Sequence, residues 1–285
     1  MAALVSSQEE LRVSIGALHH ATQHLRKEVA RLEAGALTTK ASAAGNSSVA
    51  LAAPPTGSLE SHTYVGFEDQ FRGSPEDIRE RLSEYVPLFQ GARDVLDIGC
   101  GRGEFLALLR REGVTSRGID INGAMVDVCR DQGLDATEAD ALSYIKALPD
   151  ASLGGLFAAQ VIEHLEPCYL MGLLESSFEK LRPGSLIVLE TINPACWFAF
   201  FESYIRDLTH VRPIHPDTLK YLLTASGFQH VDIRYRVPYP EHEKLQPIAP
   251  QPSLGDVVDT LNANVERINR LLFTWLDYAA VGRRP

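Results

Sequence analysis

Two histidines stand beside carboxylates in this 285-residue sequence, one in Glu163-His164 and the other in Asp207-Leu208-Thr209-His210, with Arg212 close behind. Histidine is the side chain whose ordinary pKa lies near neutrality, so either one is suited to take a proton from a weakly acidic hydroxyl. The neighbouring carboxylates Glu163 and Asp207 are further catalytic candidates. Each histidine could instead only orient a substrate, and a structural role is the ordinary fate of any one histidine taken alone. Arg212 offers a planar fork that suits a phosphate or carboxylate on the substrate. A second constellation is built for ligand contact. An apolar run, Val95-Leu96-Asp97-Ile98, enters Gly99-Cys100-Gly101-Arg102-Gly103 and then a helix-forming stretch. Glycines between strand and helix let backbone approach a ligand closely. The dinucleotide fingerprint Gly-x-Gly-x-x-Gly is not met, because Glu104 holds its third glycine position and Gly103 comes one residue early. A pyrophosphate also disfavours carboxylates at a helix N-terminus, whereas Asp97 and Glu104 flanking this loop would welcome an ammonium group.

These residues need a scaffold that gathers them at one edge. Short apolar runs alternate with helical patterns from about residue 63 onward, which is the pattern of a doubly wound α/β sheet. Seven strands are expected, at 94–98, 116–120, 136–140, 153–160, 186–191, 230–235 and 275–283. Helices are expected at 104–111, 124–132, 168–181, 217–225 and 254–272, with Gly113, Gly133, Pro183-Gly184 and Gly227 as stop signals. In such a sheet ligands bind outside the carboxyl ends of the strands. The second strand ends in Gly118-Ile119-Asp120, where a carboxylate can bind both hydroxyls of a ribose. The aromatic segment 194–216, with Trp197, Phe198, Phe200, Phe201 and Tyr204, leaves the end of the fifth strand and should cover the substrate. A small satellite core is the blander reading of its aromatics.

The tight Gly-x-Gly-x-Gly form preceded by Asp97 resembles motif I of the class I methyltransferases that use S-adenosylmethionine (SAM). The resemblance implies a seven-stranded Rossmann-like sheet with helices on both faces and an antiparallel last strand. It also implies roles. Asp97, Gly99 and Gly101 would hold the methionyl part of SAM, Asp120 and Ile121 its ribose, and Asp140 and Ala141 its adenine. Ala159 and Gln160 would wall the adenosine and sulfonium. Either Arg72 or Arg79 would fork onto the methionyl carboxylate. Glu163-His164-Leu165 resembles a motif of ubiquinone-type O-methyltransferases and of small-RNA 3′-end methyltransferases. In the RNA enzymes a metal-binding Glu precedes this pair by three residues, and here Gln160 occupies that place, so a divalent metal is not expected. The whole stretch from Phe67 to Arg283 resembles bacterial methyltransferases of surface-polysaccharide and O-antigen assembly, on Phe71-Arg72-Gly73, Asp207-x-Thr209-His210-x-Arg212-Pro213 and Asp277-Tyr278-Ala279-Ala280.

Composition narrows the partners. A formal charge of −10 argues against a nucleic-acid binder, which needs clustered Lys and Arg. The four cysteines form no Cys-x-x-Cys pair, which suits a reducing cytoplasm. No apolar run approaches bilayer length and no signal peptide is visible. Before the catalytic domain at 63–285, residues 1–34 carry a seam at Leu11, Ile15, Leu18, Thr22, Leu25, Val29 and Leu32. It is either a short coiled coil, through which the chain would form a homo-oligomer, or an amphipathic helix packed on its own domain. A flexible Ala/Ser/Thr/Gly/Pro linker at 35–62 follows. The expected function is O-methylation of a sugar hydroxyl or glycan-end phosphate. Its rivals are a small phenolic or quinone-like acceptor and a non-enzymatic scaffold, which the intact glycine loop disfavours.

Overall fold

The computed structural model describes residues 74–285. The seam at 11–32, the linker at 35–62, the start of the domain at 63 and Arg72 lie outside the described residues. The chain divides into two units, Met1–Ile78 and Arg79–Pro285, and the second carries the sheet.

Seven strands, β1 (Val95–Ile98), β2 (Ser116–Asp120), β3 (Ala136–Glu138), β4 (Leu153–Ala159), β5 (Leu181–Ile192), β6 (Gln229–Pro238) and β7 (Trp275–Arg283), form one sheet in the order β3-β2-β1-β4-β5-β7-β6. β7 is antiparallel to both its neighbours, and the pairings among β1 to β5 are parallel. The helices are α1 (Pro75–Ser83), α2 (Glu104–Arg111), α3 (Gly123–Asp131), α4 (Ala141–Ala147), α5 (Pro167–Lys180), α6 (Trp197–Ala199), α7 (Pro216–Ala225) and α8 (Gly255–Leu272). β1 and β4 are buried along most of their length, as expected for central parallel strands covered on both faces. Leu96, Ile98, Leu156, Ile187 and Leu189 join Leu170, Leu173 and Leu174 of α5 and Leu219 and Leu223 of α7 in the main core.

Two expected boundaries move for identifiable reasons. β3 stops at Glu138 because Asp140 caps an unforeseen helix, α4, by accepting from the Ser143 N–H at 2.9 Å. A capping carboxylate there satisfies donors that a continued strand would leave exposed. β5 begins five residues earlier than the apolar pattern suggests, with the Pro183-Gly184 pair inside it. Gly184, expected to cap α5, instead lies inside β5. Its N–H donates to the Arg284 carbonyl at 2.8 Å, so the start of β5 is tied to the chain end. Gly113, Gly133 and Gly227 do follow their helices with positive φ.

The sheet reverses its winding between β1 and β4, and the carboxyl ends of these two strands meet there. At this switch point Gly99 has φ +67°, and a Cβ added to it would overlap the Val161 side chain just past β4. Gly103, at φ +82°, would meet Leu134 Cδ1 at 2.6 Å and Cys129 Sγ at 2.9 Å. Both glycines are therefore required by left-handed backbone and by close packing. Gly99→Ala is expected to destabilise the fold by about 2–3 kcal/mol, from backbone strain plus overpacking. Val161→Ala in the same chain should recover the packing part only. Urea unfolding of the two single variants and the double variant checks this, and additive losses would refute the contact.

Candidate active site

The glycine loop is fixed from behind by backbone and by one carboxylate. The N–H groups of Gly99 and Cys100 donate to the Ile119 carbonyl at 2.8 and 3.1 Å. Asp120, at the end of β2, accepts from the Gly101 N–H at 2.9 Å through Oδ2 and from the Asn122 N–H at 2.8 Å through Oδ1. Each carboxylate oxygen retains a lone pair, so Asp120 can hold the loop and still accept from a diol. Ile121 beside it is 79% exposed, an apolar surface at the rim of the loop. Asp97 is buried at the end of β1. Glu104 is buried as well and is paired with Arg102 at 2.7 Å, so its charge is met within the loop.

Asp140 is exposed. Partial burial works against its ionisation, but hydrogen bonds from Ser143 and from the Tyr169 hydroxyl, 2.6 Å away, outweigh this and hold its carboxyl below the usual range. Ala141 follows at the start of α4. Cys129 packs under the loop and donates its thiol to the Gly101 carbonyl at 3.2 Å. The side-chain-free backbone, the diol-ready carboxylate and the exposed Ile121 fit a nucleoside with a cationic tail and without phosphate.

At the end of β4 the structure departs from a simple wall. Ala159 is half-buried, and Gln160 takes φ +56°. Gln160 aims its amide at Glu190 Oε1 (3.5 Å) and Asp277 Oδ1 (3.4 Å) on the next strands. Arg81 reaches the same two carboxylates, at 3.5 and 3.1 Å, and the Tyr85 hydroxyl donates to Glu190. Burial, reinforced by Glu190, lifts Asp277 to a pKa of about 7. This acidic group with Arg81 was not foreseen, since the sequence places its members up to 196 residues apart. The inward residues of β5 and β7 reveal it only once those strands are known to be neighbours.

The two histidines expected as bases do meet. His164, in the short turn after β4, and His210, from the insertion, lie with ring centroids 4.6 Å apart. The insertion is held there by backbone: the N–H groups of Val211 and Arg212 donate to the Glu163 carbonyl at 2.9 and 3.3 Å. Its start is held by Asn193, whose amide donates to the Trp275 carbonyl and whose Oδ1 accepts from the Ala195 N–H. Within it Tyr204 turns in a π-helical segment, Phe200–Tyr204, and stacks on His210.

The hydrogen-bond network assigns the protons. Asp207 Oδ1 accepts from the Thr209 N–H at 2.8 Å and from its hydroxyl at 2.6 Å. Having given up its only proton, Thr209 Oγ1 must accept from His164 Nδ1 at 2.9 Å. His164 Nε2 is thereby left as a free lone pair. His210 likewise donates from Nδ1 to the Tyr204 carbonyl at 2.7 Å, and its Nε2 lies 3.9 Å from Asp207. Burial and then the neighbouring His210 push His164 down to a pKa of about 4, so it is neutral at physiological pH. Thr209 is the member that residue type alone did not single out.

Glu163 is fully enclosed, and neither carboxyl oxygen has a partner of hydrogen-bonding geometry among the described residues. Burial, only partly offset by the nearby Glu163 N–H and Thr191 hydroxyl, raises its pKa to about 8. Glu163, His164 and His210 offer ligand atoms within 4.8 Å of one another, a nitrogen and oxygen set that could hold a divalent ion if the carboxyl gave up its proton. Arg212 is exposed on the same insertion. Arg79 is exposed on α1.

The raised pKa of Glu163 has a stability consequence of definite sign. The folded state binds this proton more tightly than the unfolded chain, so its relative stability is greatest below the unfolded value of 4.5 and falls as pH rises through about 8. Glu163→Gln removes the titration. Its melting temperature is therefore expected to exceed that of the parent at pH 9 by several degrees and to converge with it near pH 5. A parallel pH dependence in both proteins would refute this assignment.

Known proteins agree with this geometry. Residues 68–233, more than half the chain, match the family model described as a methyltransferase domain. A SAM-dependent methyltransferase from Archaeoglobus fulgidus is 41% identical, with a TM-score of 0.72 over 77% of this chain and 99% of its own. A ubiquinone biosynthesis O-methyltransferase from Xylella fastidiosa is 30% identical over 118 residues, 39% of this chain and 46% of its own length. Its counterpart from Paracidovorax citrulli is 28% identical over 142 residues, 46% of this chain and 58% of its own length. The chain thus spans about half the length of the curated relatives it matches. The sheet order, the glycine loop at its switch point and these matches together place the chain in the methyltransferase-domain family, among the class I SAM-dependent methyltransferases.

Proposed function

We propose that this protein transfers a methyl group from SAM to a hydroxyl oxygen, with a sugar or glycan hydroxyl as the first candidate acceptor. The observation that carries the reading is the chain Asp207–Thr209–His164, which fixes the histidine tautomer and presents an unprotonated Nε2. Bound SAM supplies a methyl group on a sulfonium, already activated for in-line displacement. The protein's share of the work is to orient the acceptor, exclude water and receive one proton. Asp120 and Ile121 would hold the ribose, Gly99 and Gly101 the methionyl backbone, and Asp97 the ammonium.

An alkyl hydroxyl is a poor nucleophile until its proton has somewhere to go. His164 is too weak a base to strip an alcohol in a separate step, so it would accept the proton as the new C–O bond forms. Asp207, through Thr209, would balance the charge that arises on the ring. His210 occupies the same cluster and is the alternative acceptor. Gln160, Glu190 and Asp277 line the same strand ends with amide and carboxyl groups, which suits an acceptor bearing several hydroxyls. Arg212 would meet a phosphate or carboxylate on such an acceptor. A small phenolic or quinone-like acceptor is the second reading. It is favoured by the curated ubiquinone relatives and by the aromatic stack of Phe200 and Tyr204 on His210.

Among the described residues no helix is long and apolar enough to cross a membrane. The acceptor class is tested by a SAM-consumption screen over nucleotide sugars, glycans and small phenols. Turnover on phenols alone would displace the sugar reading. Asp120→Ala should weaken SAM binding in calorimetry by about 10- to 100-fold, the loss of charge-assisted hydrogen bonds. His164→Ala should leave SAM affinity unchanged and lower kcat by about 10²- to 10⁴-fold. In the parent enzyme the acid limb of kcat should fall near pH 4, where His164 protonates, and not near 6.5. Full activity in both His164→Ala and His210→Ala would remove the proposed base.

A further inference from the structure

We infer that α8 is an interface helix that pairs antiparallel with α8 of a second copy of this chain. One row of α8, Val258, Asn262, Val265, Asn269 and Leu272, faces the body of the unit and is buried or half-buried. About 100° around the helix runs a second row, Val257, Leu261, Asn264, Ile268 and Leu271, which Leu254 of the preceding turn extends, spaced alternately by three and four residues. This row faces solvent: Leu254, Val257, Leu261, Ile268 and Leu271 are 50, 55, 43, 42 and 45% exposed. Scattered exposed leucines need no explanation, but four large apolar side chains in heptad register along one helix, with Leu254 in the turn just before it, form a seam. They present roughly 400 Å² of apolar surface, the size of the largest patch on an ordinary monomer and about half of one partner's share of a standard interface.

The seam is held ready for a partner. Asn262 and Asn269, one heptad apart, each clamp the extended segment that runs beside the helix. Asn262 exchanges two hydrogen bonds with Ile248, at 2.7 and 2.9 Å, and Asn269 does the same with Leu245, at 3.1 and 2.8 Å. These bonds fix the rotation of α8 and so the direction in which the seam points. The Cys196 thiol donates to the Leu272 carbonyl at 3.1 Å, which joins the end of the helix to the start of the insertion.

A second copy is the occupant that complements this row. Antiparallel pairing about a two-fold axis between Leu261 and Asn264 sets Leu254 against Leu271, Val257 against Ile268 and Leu261 against Asn264, so every position of the row is used. Charge agrees with that orientation. The N-terminal half of the helix carries Asp256 and Asp259, while the C-terminal half carries Arg267 and Arg270, with Glu266 bonded to Arg270. Antiparallel copies bring Asp256, beside the seam, level with Arg267 and Arg270 of the second copy and oppose the two helix dipoles, whereas parallel copies would set Asp256 against Asp256 and Arg267 against Arg267; Asp259 and Glu266 lie on the far face of the helix.

The test is sedimentation of the full chain at micromolar concentration. Leu261→Asp with Ile268→Asp, both at exposed positions, should halve the particle mass with little change in melting temperature. A mass equal to the parent's, or a parent that is already monomeric, would overturn the proposal. Binding of such a monomer to phosphatidylcholine vesicles would identify a lipid surface as the occupant instead. Two further variants guard against misfolding: Asp256→Lys and Arg267→Asp. Each should lose the dimer alone, and an equimolar mixture should regain it. Failure to recover on mixing would refute the antiparallel pairing.

Discussion

Everything at the site depends on β1 and β4 lying side by side at the point where the sheet reverses its winding. The loop after β1 must turn into α2, and the chain after β4 must turn into the Glu163-His164 segment, within the width of one strand spacing. Gly99 and Val161 are in contact there because no room is left for a Cβ. That single approach sets how far the cofactor loop lies from the histidines. The register Ile98 to Ala158 carries the constraint back into the sheet, where it is backed by the buried side chains of both strands. A parallel pair covered on both faces can hold such a contact rigid, because its backbone donors and acceptors are satisfied within the sheet.

A second consequence is electrostatic. The same edge gathers Glu163, Glu190 and Asp277, all buried, with Arg81 as the guanidinium that reaches two of them. Burying three carboxyls together is unfavourable for their charged forms, and the response is proton retention: Glu163 near 8 and Asp277 near 7. His164 is driven the other way for the same reason, since burial penalises its cationic form. Near neutral pH the site therefore rests with His164 neutral, Glu163 mostly protonated and Asp277 near the middle of its titration. Such an arrangement suits proton exchange better than it suits holding fixed charge.

The site was legible in the sequence to different depths. The glycine loop, Asp120 and Ile121 could be placed because their signal is local: a strand, a turn that needs left-handed backbone, a helix, and a carboxylate at the end of the next strand. His164 and His210 stood out by type. Nothing local indicated that they share a proton network, because the hydroxyl that joins His164 to Asp207 belongs to Thr209, an undistinguished residue in a loop. Gln160 was read as a wall, yet its left-handed backbone turns the amide toward Glu190 and Asp277. The missed helix α4 and the early start of β5 have the same origin. A cap or a pairing partner outweighed the hydropathy pattern.

Sequence by itself determined the alternation of strands and helices, the class of the sheet and the chemistry of the loop between β1 and α2. Hydrophobic period, stop residues and glycine spacing act over a few residues and leave their mark there. Tertiary structure alone decided which residues share a site. Strand order placed Glu190 beside Asp277 and Gln160, and backbone bonds from the insertion to the Glu163 carbonyl set His210 against His164. It also decided which face of α8 was left uncovered, since an amphipathic helix offers two apolar rows and only packing selects one. Long-range pairing leaves little trace in a single sequence, because any residue of suitable size and polarity can occupy either side of the contact.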